Sequence, residues 1–174
     1  MSLIYYILYN FILYSFCGWI IEELYCLFIN KRFKKDGFLI GPVKPMYGIA
    51  MVALIFLYYV LNIRGISMII LCLIIPSIVE YMSGYLLKRI INKTYWDYKD
   101  IRFNVDGYIC LRFSLYWMVL SYIGILFLQP TLNRIYLMIN GSFFEIALIL
   151  LTLLYAFDFI QTIKEKYYRF INIR

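Results

Sequence analysis

The sequence contains no histidine, and only 16% of its 174 residues are charged. Without histidine there is no imidazole general base, no Ser-His-Asp triad and no histidine-ligated zinc. No GxxxxGK[ST] loop occurs, so the chain is not itself a P-loop ATPase. Its four cysteines, Cys17, Cys26, Cys72 and Cys110, have no CxxC spacing. They lie in or at the start of apolar runs, where a thiol acts as a small hydrophobe. The amino end lacks a basic leader and a small-residue cleavage site after a short apolar core. A retained first helix is therefore expected, not a removed signal.

What abounds is apolar surface: 64% of the residues are hydrophobic and 21% aromatic. Soluble domains average about 45–50% apolar and about 25% charged residues. A soluble domain of about 150 residues leaves roughly a third of its extended-chain surface exposed, too much for this composition. A bilayer resolves the difficulty. The net charge of +7 then reflects loop lysines and arginines, not nucleic-acid binding.

A spanning helix needs about 20 apolar residues. Five stretches qualify: residues 3–29, 46–63, 66–87, 110–128 and 143–163. The short Asn62-Ile63-Arg64-Gly65 link makes the second and third a tight hairpin. Residues 129–142 are expected to link the fourth and fifth, with Pro130 and Gly141 as breakers. Two longer connections, 30–45 and 88–109, complete the chain, and no internal repeat is visible. The expected fold is a single all-α, polytopic membrane bundle of about five transmembrane helices. Fifteen of the seventeen basic residues fall in or beside the two long connections and the tail; only Arg64 and Arg134 lie in the short links. The positive-inside rule then puts the long loops and the carboxyl end in the cytoplasm and the amino end outside.

Ionisable residues inside a span are costly and usually functional. Glu22, Glu80 and Asp158 each fall roughly 9–12 Å above the loop-bearing end of their helices, at about 1.5 Å per residue. Matched depth on three helices points to one cytoplasm-facing polar cavity, with Asp158 as a secondary member; a packing seam is the plainer alternative for Glu22 and Glu80, and snorkelling to the interface for Asp158. Pro76 lies one turn before Glu80 and frees a backbone carbonyl, which membranes tolerate where it faces protein or a wet cavity. In the first long loop, Gly37 to Gly48 reads GFLIGPVKPMYG. Its glycines and prolines forbid regular helix, yet its apolar residues are too many for a free loop. A packed or re-entrant turn is expected, with backbone donors turned towards an anion. In the second, Trp96, Tyr98 and Tyr108 suit the membrane interface. Asp97 and Asn104 can fix the loop through Asx-type bonds, and Asp106-Gly107 is a turn signal. The loop is either an aromatic belt or a lid over the cavity.

SFCGWIIEELY from Ser15, then RF, GFLIGP and PMYG, resembles the amino-terminal signature of the CmpB-like ABC-transporter type IV family of integral membrane proteins. EYMSGYLLKRI from Glu80, then WDY, FNVDG and ICLRFSLYW, resembles its second signature. The resemblance covers about residues 15–117. It carries over Gly18, Trp19, Glu22, Gly37, Gly41, Pro42, Pro45, Tyr47, Gly48, Glu80, Trp96, Asp97, Tyr98, Asn104 and Gly107, and it implies a transport role in a bacterial cell membrane. The sequence departs at Tyr108, where the family pattern has Arg in a GRI run, and at Met118, where Gly commonly follows. Arg32 and Arg112 are the candidates to replace the missing Arg.

Three functions fit. The first is a permease or transporter membrane subunit that binds a solute or cation at Glu22 and Glu80, with Arg32, Trp96, Asp97, Tyr98 and Asn104 around them. It would need a second copy or an energising partner subunit, because five helices enclose little. The second is an enzyme acting on a lipid headgroup, with Glu22 and Glu80 holding Mg²⁺, Asp97 as base and Arg32 on phosphate. The third is an interaction module for another membrane protein. No cofactor can be named from the residues.

Overall fold

The computed structural model of the chain describes residues 3–32, 37–139 and 141–172. Lys34, Lys35 and Arg174, counted above among the loop and tail cations, lie outside the described residues. The elements are α1 (Leu3–Asn30), α2 (Pro45–Tyr59), α3 (Gly65–Ile91), α4 (Leu111–Ile123), α5 (Gln129–Ile139) and α6 (Ser142–Asn172). A π turn, Gly124–Leu128, joins α4 to α5 as one continuous rod. The fold is an all-helical bundle, and the chain is a multi-pass membrane protein.

Four rods are long and apolar enough to cross a bilayer: α1, α3, the α4–α5 rod and α6. α2 has 15 residues, roughly 22 Å at helical rise, against a hydrocarbon core of about 30 Å. It stops short of the expected residue 63 because its last turn closes on Phe56 and Leu57 carbonyls through Val60, Leu61 and Ile63. Asn62 is left-handed there, and Arg64 folds its guanidinium over the Tyr58 ring and donates to the Tyr58 carbonyl.

The expected link after residue 128 is instead helix. Pro130 does not break it, because it is the second residue of α5, immediately after the π turn. The Gln129 N–H reaches five residues back to Gly124 O, so the backbone is already out of the regular ladder where proline withholds its donor. Gln129 and Asn133 fall in the expected link, yet Gln129 is fully buried. Its amide donates to Asn10 Oδ1 and Asn133 Oδ1, both at 2.8 Å, and its carbonyl accepts from the Tyr14 hydroxyl at 2.8 Å. Polar groups that satisfy one another can enter a membrane interior.

α1 and α2 cross closely at two glycines. A Cβ on Gly18 would strike the Tyr47 ring, and one on Gly48 would strike the Phe11 carbonyl and Ser15 Oγ. Tyr9, Tyr14, Met51, Leu54, Ile55, Met68, Cys72 and Ile125 belong to the main core cluster. It lies towards the end of the bundle away from the two long loops. Next to this core, with Tyr14 and Met51 in its wall, the packing opens into a cavity, and a second lies nearer the loops.

Both long loops are packed. In residues 37–44, Phe38 sets its ring against Tyr95 and Phe159, and the Lys44 N–H donates to Ser15 O at 2.9 Å. Residues 92–110 hold a two-residue hairpin, β1 (Asn104–Val105) with β2 (Ile109–Cys110). Asp106 and Gly107 both have positive φ, and Tyr108 N–H closes the turn on Val105 O. An Asp-Gly pair suits that conformation.

Candidate carboxylate site between α1, α2, α3 and α4

Glu80 sits on the buried face of α3, one turn after Pro76, and is 2% exposed. The Tyr98 hydroxyl donates to its Oε1 at 2.9 Å, and the Trp117 indole N–H to its Oε2 at 3.1 Å. Among the described residues no Lys or Arg pairs with it. Tyr98 comes from the second loop and is held by stacking on Phe113, ring centroids 4.8 Å apart. Burial, then the Glu80 carboxylate, pushes the Tyr98 phenol above the usual tyrosine range, so it remains a donor.

Glu22, on α1, is in a different setting. Lys44 Nζ lies 2.9 Å from Glu22 Oε2, and the Tyr47 hydroxyl donates to Oε1 at 3.2 Å. The Tyr47 ring also meets Trp117 edge-on at 5.2 Å. A chain of contacts, Glu22–Tyr47–Trp117–Glu80, therefore connects the two carboxylates across α1, α2, α4 and α3.

Two cavities flank this bridge, each of about 240 Å³. The first lies between α1, α2, α3 and α4. Glu80, Tyr14, Tyr47, Trp117 and Ser121 supply its polar groups, and Pro76 and Gly124 place it beside the proline of α3 and the π turn. Irregular backbone at membrane depth is tolerated where it is buried in protein or lines a cavity. The second contains Glu22 and Lys44 and is walled by Phe38, Tyr95 and Trp96 from the loops.

Asp158 does not join either carboxylate. It accepts the N–H groups of Ile40 (3.3 Å) and Gly41 (2.9 Å), and the Thr162 hydroxyl at 3.2 Å. The backbone donors of the glycine-rich loop thus do face an anion, and the chain supplies it from α6. Three matched depths made one polar cavity the expectation; the three carboxylates occupy three separate environments.

Lys166 of α6 donates to the carbonyls of Gly37 (3.3 Å) and Phe38 (2.6 Å) and to the Tyr95 hydroxyl (2.6 Å), clamping both loops to one helix. Pro42 continues the same loop, and Pro45 opens α2 at its first turn, where its missing N–H is no loss.

Asp97 and Asn104 serve their own loop. Asp97 accepts from Lys99 N–H at 3.0 Å, and Asn104 donates to the carbonyls of Lys99 and Ile101 while accepting from Gly107 N–H. Gly107 is required there by its φ of +75° and by the Asp97 carboxylate, which would lie 2.7 Å from a Cβ. Trp96 donates to Tyr108 O at 2.8 Å and faces the second cavity. Arg32 and Arg112 are exposed and line neither cavity; Arg112 bonds the Tyr116 hydroxyl. Among the described residues no group of three or more Asp, Glu, Cys or His could hold a metal.

The sequence model of the family described as putative ABC-transporter type IV matches residues 9–163. The chain belongs to this family. No curated protein and no solved structure matched it. The two segments that resemble the family's signatures contribute to the site just described: the first holds Gly18, Glu22, Tyr47 and Gly48, the second Glu80, Trp96 and Tyr98. The Tyr108 ring packs over Gly84 of α3 and against Tyr81 at 5.5 Å. Met118 packs against the main core.

Sequence reasoning missed Lys44, Trp117 and Lys166 as site residues, and the Asn10–Gln129 network entirely. Asn10 lies four residues from both Tyr6 and Tyr14, and Gln129 four from Asn133. That spacing was the available signal for two polar stripes, but nothing in it says that they meet.

Proposed function

We propose that this chain is the membrane component of a transporter, and that it binds a cationic solute at Glu80 in the cavity between α1, α2, α3 and α4. One observation carries the reading: a carboxylate 2% exposed, at membrane depth, with two neutral donors and no cationic partner among the described residues. A buried charge is stable when paired. Glu22 has Lys44 for that purpose; Glu80 is left for a ligand. The family description and the apolar helices support a transport role.

The same proposal places the long basic loops and carboxyl end in the cytoplasm of a cell-membrane protein, with five crossings and the amino end outside. The sequence has no P-loop, so the energy would come from a partner subunit, and a second copy would complete a pathway too large for five helices.

The test is thermal stability of the purified protein in detergent across inorganic and organic cations, nucleotides, metabolites and phospholipids. A ligand at about 100 times its Kd adds roughly 2.7 kcal/mol. A cation that stabilises wild type and not Glu80→Gln supports the site. If no cation stabilises wild type, and Glu80→Gln is as stable or more so, Glu80 is a packing residue and the reading fails.

A further inference from the structure

We infer that the occupant of the Glu80 cavity is a small lipophilic cation, a quaternary or protonated nitrogen on an aliphatic or aromatic body, which reaches the cavity from the lipid. The inference rests on the reading of Glu80 as a cation site and specifies the cation.

The first argument is the lining. Beyond the few polar groups named above, the walls are apolar side chains such as Met46, Ala50, Met51 and Val79. An inorganic cation must exchange its hydration shell for oxygens, about six for Mg²⁺ and six to eight for Ca²⁺. Here it would find two carboxylate oxygens, each already accepting a hydrogen bond, and the hydroxyls of Tyr14, Tyr47 and Ser121, short of a full shell. An organic cation carries its own apolar shell, so the same walls favour it by burying its body.

The second argument is the aromatic set. Tyr14, Tyr47 and Trp117 line the cavity together with the carboxylate. Aromatic faces attract organic cations, and more strongly when water is excluded. Charge from Glu80 and the aromatic rings of these residues suit a diffuse positive charge.

The third argument is the opening. Ile21, Leu120, Ile123 and Leu128 line the cavity and are also exposed, at 36–49%. In a membrane they face acyl chains, so the mouth opens sideways into lipid. A solute that first partitions into the bilayer finds it; a hydrated ion does not. A volume of about 240 Å³ lies just below the usual range of small-molecule sites, about 300–1,000 Å³, and suits a short-chain ligand.

N-Hexylpyridinium is a suitable probe: its charge does not titrate, and the ring quenches tryptophan fluorescence. Hexylbenzene is its neutral counterpart of the same shape. In nanodiscs, wild type should show saturable quenching by N-hexylpyridinium and a raised thermal midpoint. Glu80→Gln should bind about tenfold more weakly or worse, and hexylbenzene should not compete. Should Glu80→Gln not fold, the comparison of the two probes on wild type decides the matter. Equal competition by hexylbenzene overturns the inference. Stabilisation by Na⁺, K⁺ or Mg²⁺ through Glu80, with no effect of N-hexylpyridinium, overturns the lipophilic class and leaves Glu80 a cation site. If neither kind of cation acts on wild type, both readings fall.

Discussion

Gly48→Ala tests the contact that places the two carboxylates near each other. A Cβ at Gly48 would lie 2.5 Å from the Phe11 carbonyl oxygen and 2.7 Å from a carbon of its ring, and closer still to Ser15 Oγ. The hydroxyl could rotate away, but a helix carbonyl cannot. α1 and α2 must separate, and the overpacking costs about 1–3 kcal/mol. Two glycines serve as controls. Gly141 has nothing within 4 Å and an ordinary backbone, so Gly141→Ala should fall within about 0.5 kcal/mol of wild type. Gly65 is equally open but has φ of +62°, so Gly65→Ala should cost about 1 kcal/mol from the backbone alone. Unfolding of the three variants in mixed detergent–dodecyl sulfate titrations should therefore rank Gly48 worst and Gly141 mildest. The damage should reach the site, because Ser15 O holds the Lys44 N–H and Lys44 holds Glu22. If Gly48→Ala is as stable as Gly141→Ala, the helices do not cross so closely, and the bridge from Glu22 to Glu80 is wrongly assembled.

Asp158→Ala removes the acceptor for the Ile40 and Gly41 amides. It should cost about 1–2 kcal/mol and speed hydrogen exchange at those two amides; unchanged exchange would mean that the carboxylate does not hold the loop. Tyr98→Phe keeps the stacking on Phe113 but strips Glu80 Oε1 of its donor. The expected loss is about 1–3 kcal/mol in the same titration, and a neutral result would place the loop away from Glu80. Gly107→Ala forces a side chain into a left-handed turn against Asp97, at a cost of about 1–3 kcal/mol. Adding Asp97→Ala should recover the part due to that carboxylate; no recovery would leave the cost to strain in φ and to Lys99 Cγ, which also lies 2.7 Å from that Cβ.

The sequence by itself determined the membrane class and the apolar helical stretches, though not the helix over Gln129–Ile139, because burial in lipid is read from composition and run length alone. It also singled out Glu22 and Glu80, since a charge within an apolar run stands out whatever its neighbours. The anion-facing turn of GFLIGP was legible in its glycines. Tertiary structure alone decided the partners. Lys44 neutralises Glu22 and leaves Glu80 to two neutral donors; Asp158 turns to a loop more than a hundred residues away in sequence. Gln129 and Asn133 fell in an expected link because local polarity cannot reveal a matching stripe on α1. The reason is geometric. Periodicity tells which face a residue occupies, but which faces meet, and at what height, depends on helix register and loop path, and those are set by contacts between residues far apart in the chain.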